Sequence, residues 1–263
     1  MTLLACLSNW ERVTAGPLGS EVAPRERRPP RRPWRLVWIA LAQVATACNL
    51  DMTVFARMGD RPPNPDAPPS QALVAAGITI DHFQIVLRDI RLASANTTAG
   101  ERTAGEAVIG PGLVLLDVSG DRLEPGAMTQ IVSARRVAWK SYYEIDIDLR
   151  PVTQDEVDAD PALAPLLGRT FIIQGRMPGG APFTIESSLQ QVLLRPAVFR
   201  NGTNHNNVTV NVAPNRWFVG ADGAVLDPTS ADPAVRAEIE ANVAASIDGY
   251  MDDNRDGAPD SLG

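Results

Sequence analysis

Between Val137 and Leu149 the chain alternates with a period of two. Val137, Trp139, Tyr143, Ile145, Ile147 and Leu149 fall on one face, and Lys140, Glu144, Asp146 and Asp148 on the other. Successive side chains of a β-strand point to opposite faces, whereas a helix would scatter this pattern around its axis. The spacing therefore predicts a strand with one face buried. Blocks of the same kind occur on both sides of it. Ile78 and Ile80, then Phe83, Ile85 and Leu87, then Ile90 and Leu92 alternate with polar residues, with two changes of phase that suit a bulged strand or two strands. Leu113–Val118 follows Gly110-Pro111-Gly112, which reads as a turn, and its continuous apolar character predicts a strand covered on both faces. Thr170–Arg176 and Ala181–Ser187 flank Met177-Pro178-Gly179-Gly180, a hairpin signature. Gln190–Leu194 and Val208–Val212 add strands around an Asn-rich loop, and Pro151–Gly168 reads as an acidic loop with one helical turn. Many short strands with irregular turns predict a mainly β fold, a β-sandwich, over residues 78–231.

After Ala231 the period changes. Asp232-Pro233 supplies an N-cap followed by proline at the first helical position. Val235, Ile239, Val243 and Ile247 then recur every four residues, predicting an amphipathic helix to about Tyr250. Residues 232–263 thus read as a helix with an Asp-rich loop after it.

The N-terminal part follows different rules. Arg31, Arg32 and Arg35 lead into the apolar run Leu36–Val44, and Ala45-Thr46-Ala47-Cys48 follows. A basic stretch, a short apolar run and small residues before a cut point form a secretory signal peptide. The apolar run is shorter than the ~20 residues a permanent membrane span needs. With cysteine directly after the small residues, the segment resembles a bacterial lipoprotein signal, which implies acylation of the Cys48 thiol. An ordinary signal peptide cut after Ala47, with Cys48 a free thiol, is the alternative. Residues 1–47 are expected to be leader, with translation starting downstream of Met1, for example at Val22. Asn49 after the cysteine favours the outer membrane by the same resemblance. Residues 48–77, with the proline-rich stretch 60–70, are expected to form a stiff extended tether.

Seven of the 24 basic residues and three of the 31 acidic ones precede Cys48, leaving 17 against 28, a formal net charge of −11. Such a surface repels nucleic acid, so no DNA or RNA partner is expected. With Cys6 in the leader and Cys48 as the anchor, no disulfide framework is available.

Gly110-Pro111-Gly112-Leu113-Val114-Leu115-Leu116-Asp117, the strand ending Glu144–Leu149, Gly168-Arg169-Thr170 through Pro182-Phe183-Thr184, Trp217-Phe218 and the closing Asp/Asn/Gly loop together resemble a group of uncharacterised bacterial secreted lipoproteins. That resemblance covers most of residues 78–260 and implies an immunoglobulin- or transthyretin-like β-sandwich in the cell envelope. Its motifs are structural, so it implies no catalytic chemistry.

Two constellations could carry chemistry. In Asp252-Asp253-Asn254-Arg255-Asp256-Gly257-Ala258-Pro259-Asp260, the residues Asp252, Asn254 and Asp256 occupy positions one, three and five of an EF-hand-type loop. Gly257 stands at six, the carbonyl of Ala258 at seven and Asp260 at nine. Alternate oxygen-bearing residues of this kind converge on a hard cation, so calcium in a structural role is the expected cofactor. Position twelve is Gly263, which rules out a complete EF-hand and leaves a looser single loop, like those of dockerins or thrombospondin-type repeats; the bland alternative is a polar tail. Glu144, Asp146 and Asp148 form an acidic stripe at about 7 Å spacing. A solvated strand face is the first reading of it, with a second cation site or a glycosidase-type acid and base as alternatives. Asp155, Glu156, Asp158 and Asp160 read as a solvated loop, with a weak cation site as the alternative. His82 and His205 make no zinc site, no serine stands in a nucleophile elbow, and Trp139 and Trp217 read as core. The expectation is a non-catalytic, membrane-anchored envelope module whose partner is a polysaccharide or an envelope protein, with a glycoside-type hydrolase using the 144–148 strand as the alternative.

Overall fold

The larger of two sheets is organised around one strand of sixteen residues, Ile78–Ala93. In the computed structural model, which describes residues 49–59, 74–75, 77–93, 107–138, 142–199 and 206–260, the strands in chain order are β1 (Asn49–Met58), β2 (Val74–Ala75), β3 (Ile78–Ala93), β4 (Ala107–Ser119), β5 (Met128–Ala138) and β6 (Tyr142–Leu149). They continue with β7 (Phe171–Arg176), β8 (Pro182–Ser187), β9 (Gln191–Phe199), β10 (Asn206–Val212) and β11 (Ile247–Met251), with helices α1 (Gln154–Ala159) and α2 (Pro233–Ser246). All belong to the unit running from Thr46 to Gly263. The expected leader, Cys48, the stretch 60–70, Trp139, Lys140 and His205 lie outside the described residues.

β3 has β4 along one side and two neighbours in succession along the other, β7 against residues 79–85 and β6 against residues 87–93. β7 continues into the β8 hairpin, β6 pairs with β9, and β2 adds a short pairing to β3. The two phase changes in the sequence are register shifts within one strand. One falls between Ile80 and His82, and the other spans Asp89, which adopts a positive φ of 44°. Opposite the second shift stand Pro111, without an N–H for the ladder, and Gly112, whose N–H donates to Asp89 Oδ1 at 2.9 Å. Gly110-Pro111-Gly112 is therefore a kink inside β4 and not the turn expected before it.

Where β7 and β6 part company along β3, a wedge opens on the outer face. Val86, Val152, Leu163, Leu166 and Ile172 fill it as a second apolar cluster, with Leu113 and Leu115 of β4 packed against it. Those two side chains account for the apolar character of both faces of β4. Arg88, only 8% exposed, closes the wedge. Its guanidinium donates to both carboxylate oxygens of Glu156 and to the carbonyls of Arg150 and Pro151. Glu156 also completes the capping box with Thr153 that starts α1. A residue read as part of a solvated acidic loop is thus half of an ion pair that holds the fork together.

The smaller sheet has the order β11-β10-β1-β5, with β1 parallel to β10 and antiparallel to β5. Residues 49–58, expected within the tether, are one of its two inner strands, and Met52, Val54, Ala56 and Met58 are buried. Their period-two pattern is short and adjoins the proline-rich stretch, which hid it. The stretch 60–70 consequently follows a core strand and connects β1 to β2. The long alternation of 137–149 also divides: β5 ends at Ala138 in the smaller sheet, and β6 begins at Tyr142 in the larger. A register shift against β9 between Tyr142 and Glu144 buries Tyr142 completely and leaves Tyr143 43% exposed, reversing the expected orientation.

The inner faces of the two sheets form one core, with Val54, Val208 and Val210 from the smaller and Phe83, Ile85, Ile145 and Ile173 from the larger. A Cβ placed on Gly249 of β11 would lie 3.0 Å from Ile145 of β6, so the sheets approach closely there. The architecture is mainly β and two-layered, consistent with a β-sandwich and not a closed barrel. Trp217 is fully buried, with its ring edge-on to Phe83 at 5.0 Å and its Nε1 donating to Ser246 Oγ at 2.7 Å.

Helix α2 begins as read, with Asp232 Oδ1 accepting from the Ala234 N–H. It stops at Ser246 and not near Tyr250. The Arg195 guanidinium accounts for the stop, donating to the carbonyls of Ala244 and Ile247 at the helix end. Ile247–Met251 then joins β10 as the edge strand β11.

Two predictions follow from these contacts. The Arg88 guanidinium holds the Glu156 carboxyl at about 2, below its ordinary 4.5. A depressed folded value means the stabilisation is complete above the unfolded value and is lost as pH falls through the folded one. Glu156→Gln should cost about 2–3 kcal/mol at pH 7 in urea unfolding, and should flatten the decline of stability between pH 4.5 and pH 2 that the parent protein shows. Gly175→Ala should reduce stability by about 3 kcal/mol or abolish folding, because the added Cβ would sit 2.2 Å from the Thr79 carbonyl oxygen and 2.7 Å from the Phe183 ring.

Candidate functional site

β10 alternates as strands do, with Val208, Val210 and Val212 facing the core. Its other face, Asn207, Thr209 and Asn211, is polar and would ordinarily meet water. All three are nevertheless buried, at 4%, 0% and 2% exposure. The cover comes from the chain after β11, which folds back over the outer face of β1 and β10. Asp252 and Asp260 anchor this cover by their backbones, with Asp252 N–H donating to the Asn207 carbonyl and Asp260 N–H to the Met251 carbonyl.

Buried polar groups need partners, and here they find them in one another. The Thr53 hydroxyl donates to Asn207 Oδ1, and the Asn207 N–H donates to Asp253 Oδ1 at 2.9 Å. Asn211 donates to the Gly59 carbonyl at 2.7 Å and accepts from Arg57 at 3.0 Å. The Tyr250 hydroxyl donates to the Gly257 carbonyl at 2.9 Å, and the Arg255 guanidinium lies over the Phe55 ring, 4.5 Å from its centroid. Gly257 has φ +80°, and a Cβ there would meet the Arg57 side chain. The turn therefore requires glycine, as the loop pattern implied.

Asp252 sits at the centre and is fully buried. Its Oδ2 accepts from the Gly257 N–H at 3.0 Å and from the Thr209 hydroxyl at 3.2 Å. Its Oδ1 has no hydrogen-bond partner. Burial pushes the Asp252 carboxyl above the ordinary aspartate range and the nearby Asp256 charge acts in the same direction, against the Gly257 N–H, the Thr209 hydroxyl and the Asp256 N–H.

The remaining loop residues of the expected cation site are more exposed and bonded among themselves. Asn254 Nδ2 donates to Asp256 Oδ2 at 2.9 Å, the Asp256 N–H to Asn254 Oδ1 at 3.0 Å, and the Ala258 N–H to Asp256 Oδ1 at 2.8 Å. Asp260 Oδ2 accepts from the Asp253 N–H. The structure thus brings Asp252, Asn254, Asp256, Ala258 and Asp260 into one loop. Among the described residues, however, no three His, Cys, Asp or Glu side chains stand together at metal-holding distance.

The acidic stripe takes a different form from the solvated face expected. Asp146 is 3% exposed and stands opposite Arg91 of β3, and Asp148 stands opposite Arg88. Asp148 Oδ2 also pairs with Arg150 Nε at 2.7 Å. Opposite charges at cross-strand positions offset one another. His82 lies between Asp117, at 2.9 Å, and Gln174, at 3.3 Å.

No protein-family model, no curated protein and no solved structure matches this chain. Among the described residues, no helix is long and apolar enough to cross a membrane.

Sequence reasoning missed Thr209, Asn207, Tyr250 and Arg57 as members of this site. The signal was the polar series Asn207-Thr209-Asn211, which alternation alone assigns to solvent. Thr209→Val keeps the shape and β-branching but removes a donor to the buried Asp252 carboxylate. It should lower stability by about 1–3 kcal/mol in chemical denaturation, and it should speed proteolytic cleavage within residues 252–260.

Proposed function

We propose that this chain is a lipid-anchored component of a bacterial cell envelope, exported through the segment ending at Ala47 and acylated on Cys48. In this reading it is a non-catalytic binding or structural module with an immunoglobulin- or transthyretin-like sandwich, facing a polysaccharide or an envelope protein at the outer membrane. The observation that carries it is the run of basic, apolar and small residues ending in Cys48. Two features support it. The core is built without disulfides from a continuous apolar cluster, and the net charge of −7 disfavours nucleic acid.

In this reading the module would sit close to the membrane. Because β1 begins at Asn49, an acyl group on Cys48 would have no spacer. At about 3.3 Å per residue, the first residue of β1 would lie within a residue or two of the headgroups. Asp146 and Asp148, each opposite an arginine, favour the non-catalytic reading over a hydrolase, since a glycosidase needs two carboxyl groups facing a substrate cleft.

Cys48→Ser should move the protein expressed in a bacterial host from the membrane fraction to the soluble fraction. Mass spectrometry of the purified parent protein should show Cys48 as the acylated N-terminus. An unmodified Cys48 in a membrane-free parent protein would overturn the proposal.

A further inference from the structure

A buried carboxylate oxygen without a partner is among the most costly arrangements a folded chain can hold. Asp252 presents one at the centre of a loop whose other oxygen-bearing residues point to the same ligand chemistry. We propose that the loop of residues 252–260 binds one calcium ion, with Asp252 Oδ1 as its innermost ligand. Two independent observations converge on this. One is the sequence spacing of Asp252, Asn254, Asp256, Gly257, Ala258 and Asp260. The other is the unpartnered Oδ1 of a side chain with no exposed surface.

The orientation of the carboxylate supports the assignment. Oδ2 is held by the Gly257 N–H and the Thr209 hydroxyl, so the group is fixed from the loop on one side and from β10 on the other. The Gly257 contact ties position one of the loop to position six and curls the intervening residues around the carboxylate. The Gly257 bond to Asp252 and the Asn254 and Ala258 bonds to Asp256 hold the two acids in one loop. A divalent cation would attract both. The charged side chains on the packed elements are otherwise engaged, with Arg57 donating to Asn211 and Arg255 lying on Phe55.

The ligands are not all gathered beforehand. Asp256 accepts from Asn254 and Ala258, and Asp260 from Asp253, so closure on the ion requires the outer loop to turn its oxygens inward. Without the bidentate glutamate of a full EF-hand and with this rearrangement, affinity falls in the range of extracellular modules, about 0.1–1 mM. The consequence would be structural: the ion would lock the cover over Asn207 and Thr209. This site is independent of lipid attachment, which mass spectrometry of Cys48 reports separately.

The test is calorimetric titration of the purified full chain with calcium chloride, alongside Asp252→Asn, Asp256→Asn and Asp148→Asn. The expected result is one site for the parent protein, at least tenfold weaker binding for Asp252→Asn and Asp256→Asn, and unchanged binding for Asp148→Asn. Asp256 is exposed, so its variant keeps the test valid should Asp252→Asn fold poorly. Calcium should also slow proteolysis within residues 252–260 of the parent protein but not of Asp256→Asn. Equal heats from the parent protein and Asp256→Asn, or no heat from the folded parent at 10-fold excess over about 1 mM calcium, would overturn the proposal.

Discussion

A strand that serves two partners in succession leaves a gap where they diverge, and in this protein the gap lies beside Val86 to Arg88 of β3. The segment after β6 leaves the ladder, forms α1 and a short 3-10 helix, and delivers Val152, Leu163 and Leu166 into the wedge. A purely apolar plug would leave the backbone carbonyls of Arg150 and Pro151 without donors. Arg88 meets both and is itself neutralised by Glu156, so a buried charge, a helix start and the branching of the sheet are met by one group of contacts.

The smaller sheet meets a related difficulty by different means. The outward residues Asn207, Thr209 and Asn211 of β10 are polar, yet they are buried. Asn207, Thr209 and Asn211 are each matched to a specific atom of β1, of Gly59 or of the aspartate loop. Such a network specifies one position for the C-terminal segment, whereas an apolar face would tolerate several. The exception is Asp252 Oδ1, and it lies where the sequence spacing points to a cation. Structure and possible chemistry therefore meet at the same residue.

Several elements were legible in the sequence because their determinants are local. The Met177–Gly180 hairpin, the Asp232-Pro233 helix start, the strands around the Asn-rich loop and the bulged 78–93 strand depend on neighbours in the chain, and the structure has them where the residues predict. The misreadings are of another kind. Residues 137–149 look like one strand because β5 and β6 each alternate, but they pair with β1 in one sheet and with β3 and β9 in the other. Gly110-Pro111-Gly112 looks like a turn because glycine and proline mark turns, yet the bulge at Asp89 lets β4 absorb it. Helix α2 could have continued past Ser246 by its own spacing. Arg195, 49 residues away from Ala244, ends it.

The sequence alone determined that this chain is mainly β, that no cysteine follows residue 48, and that its last residues carry a spacing suited to a hard cation. Those properties reside in side-chain period, composition and local backbone preference. The tertiary structure alone decided which strands share a sheet, that residues 49–58 are core and not tether, and that the polar faces bearing Asp146, Thr209 and Asp252 are buried. Alternation distinguishes two faces of a strand but carries no information about what lies against either one. Burial of a polar face is settled only when a distant segment brings the matching donors and acceptors to it.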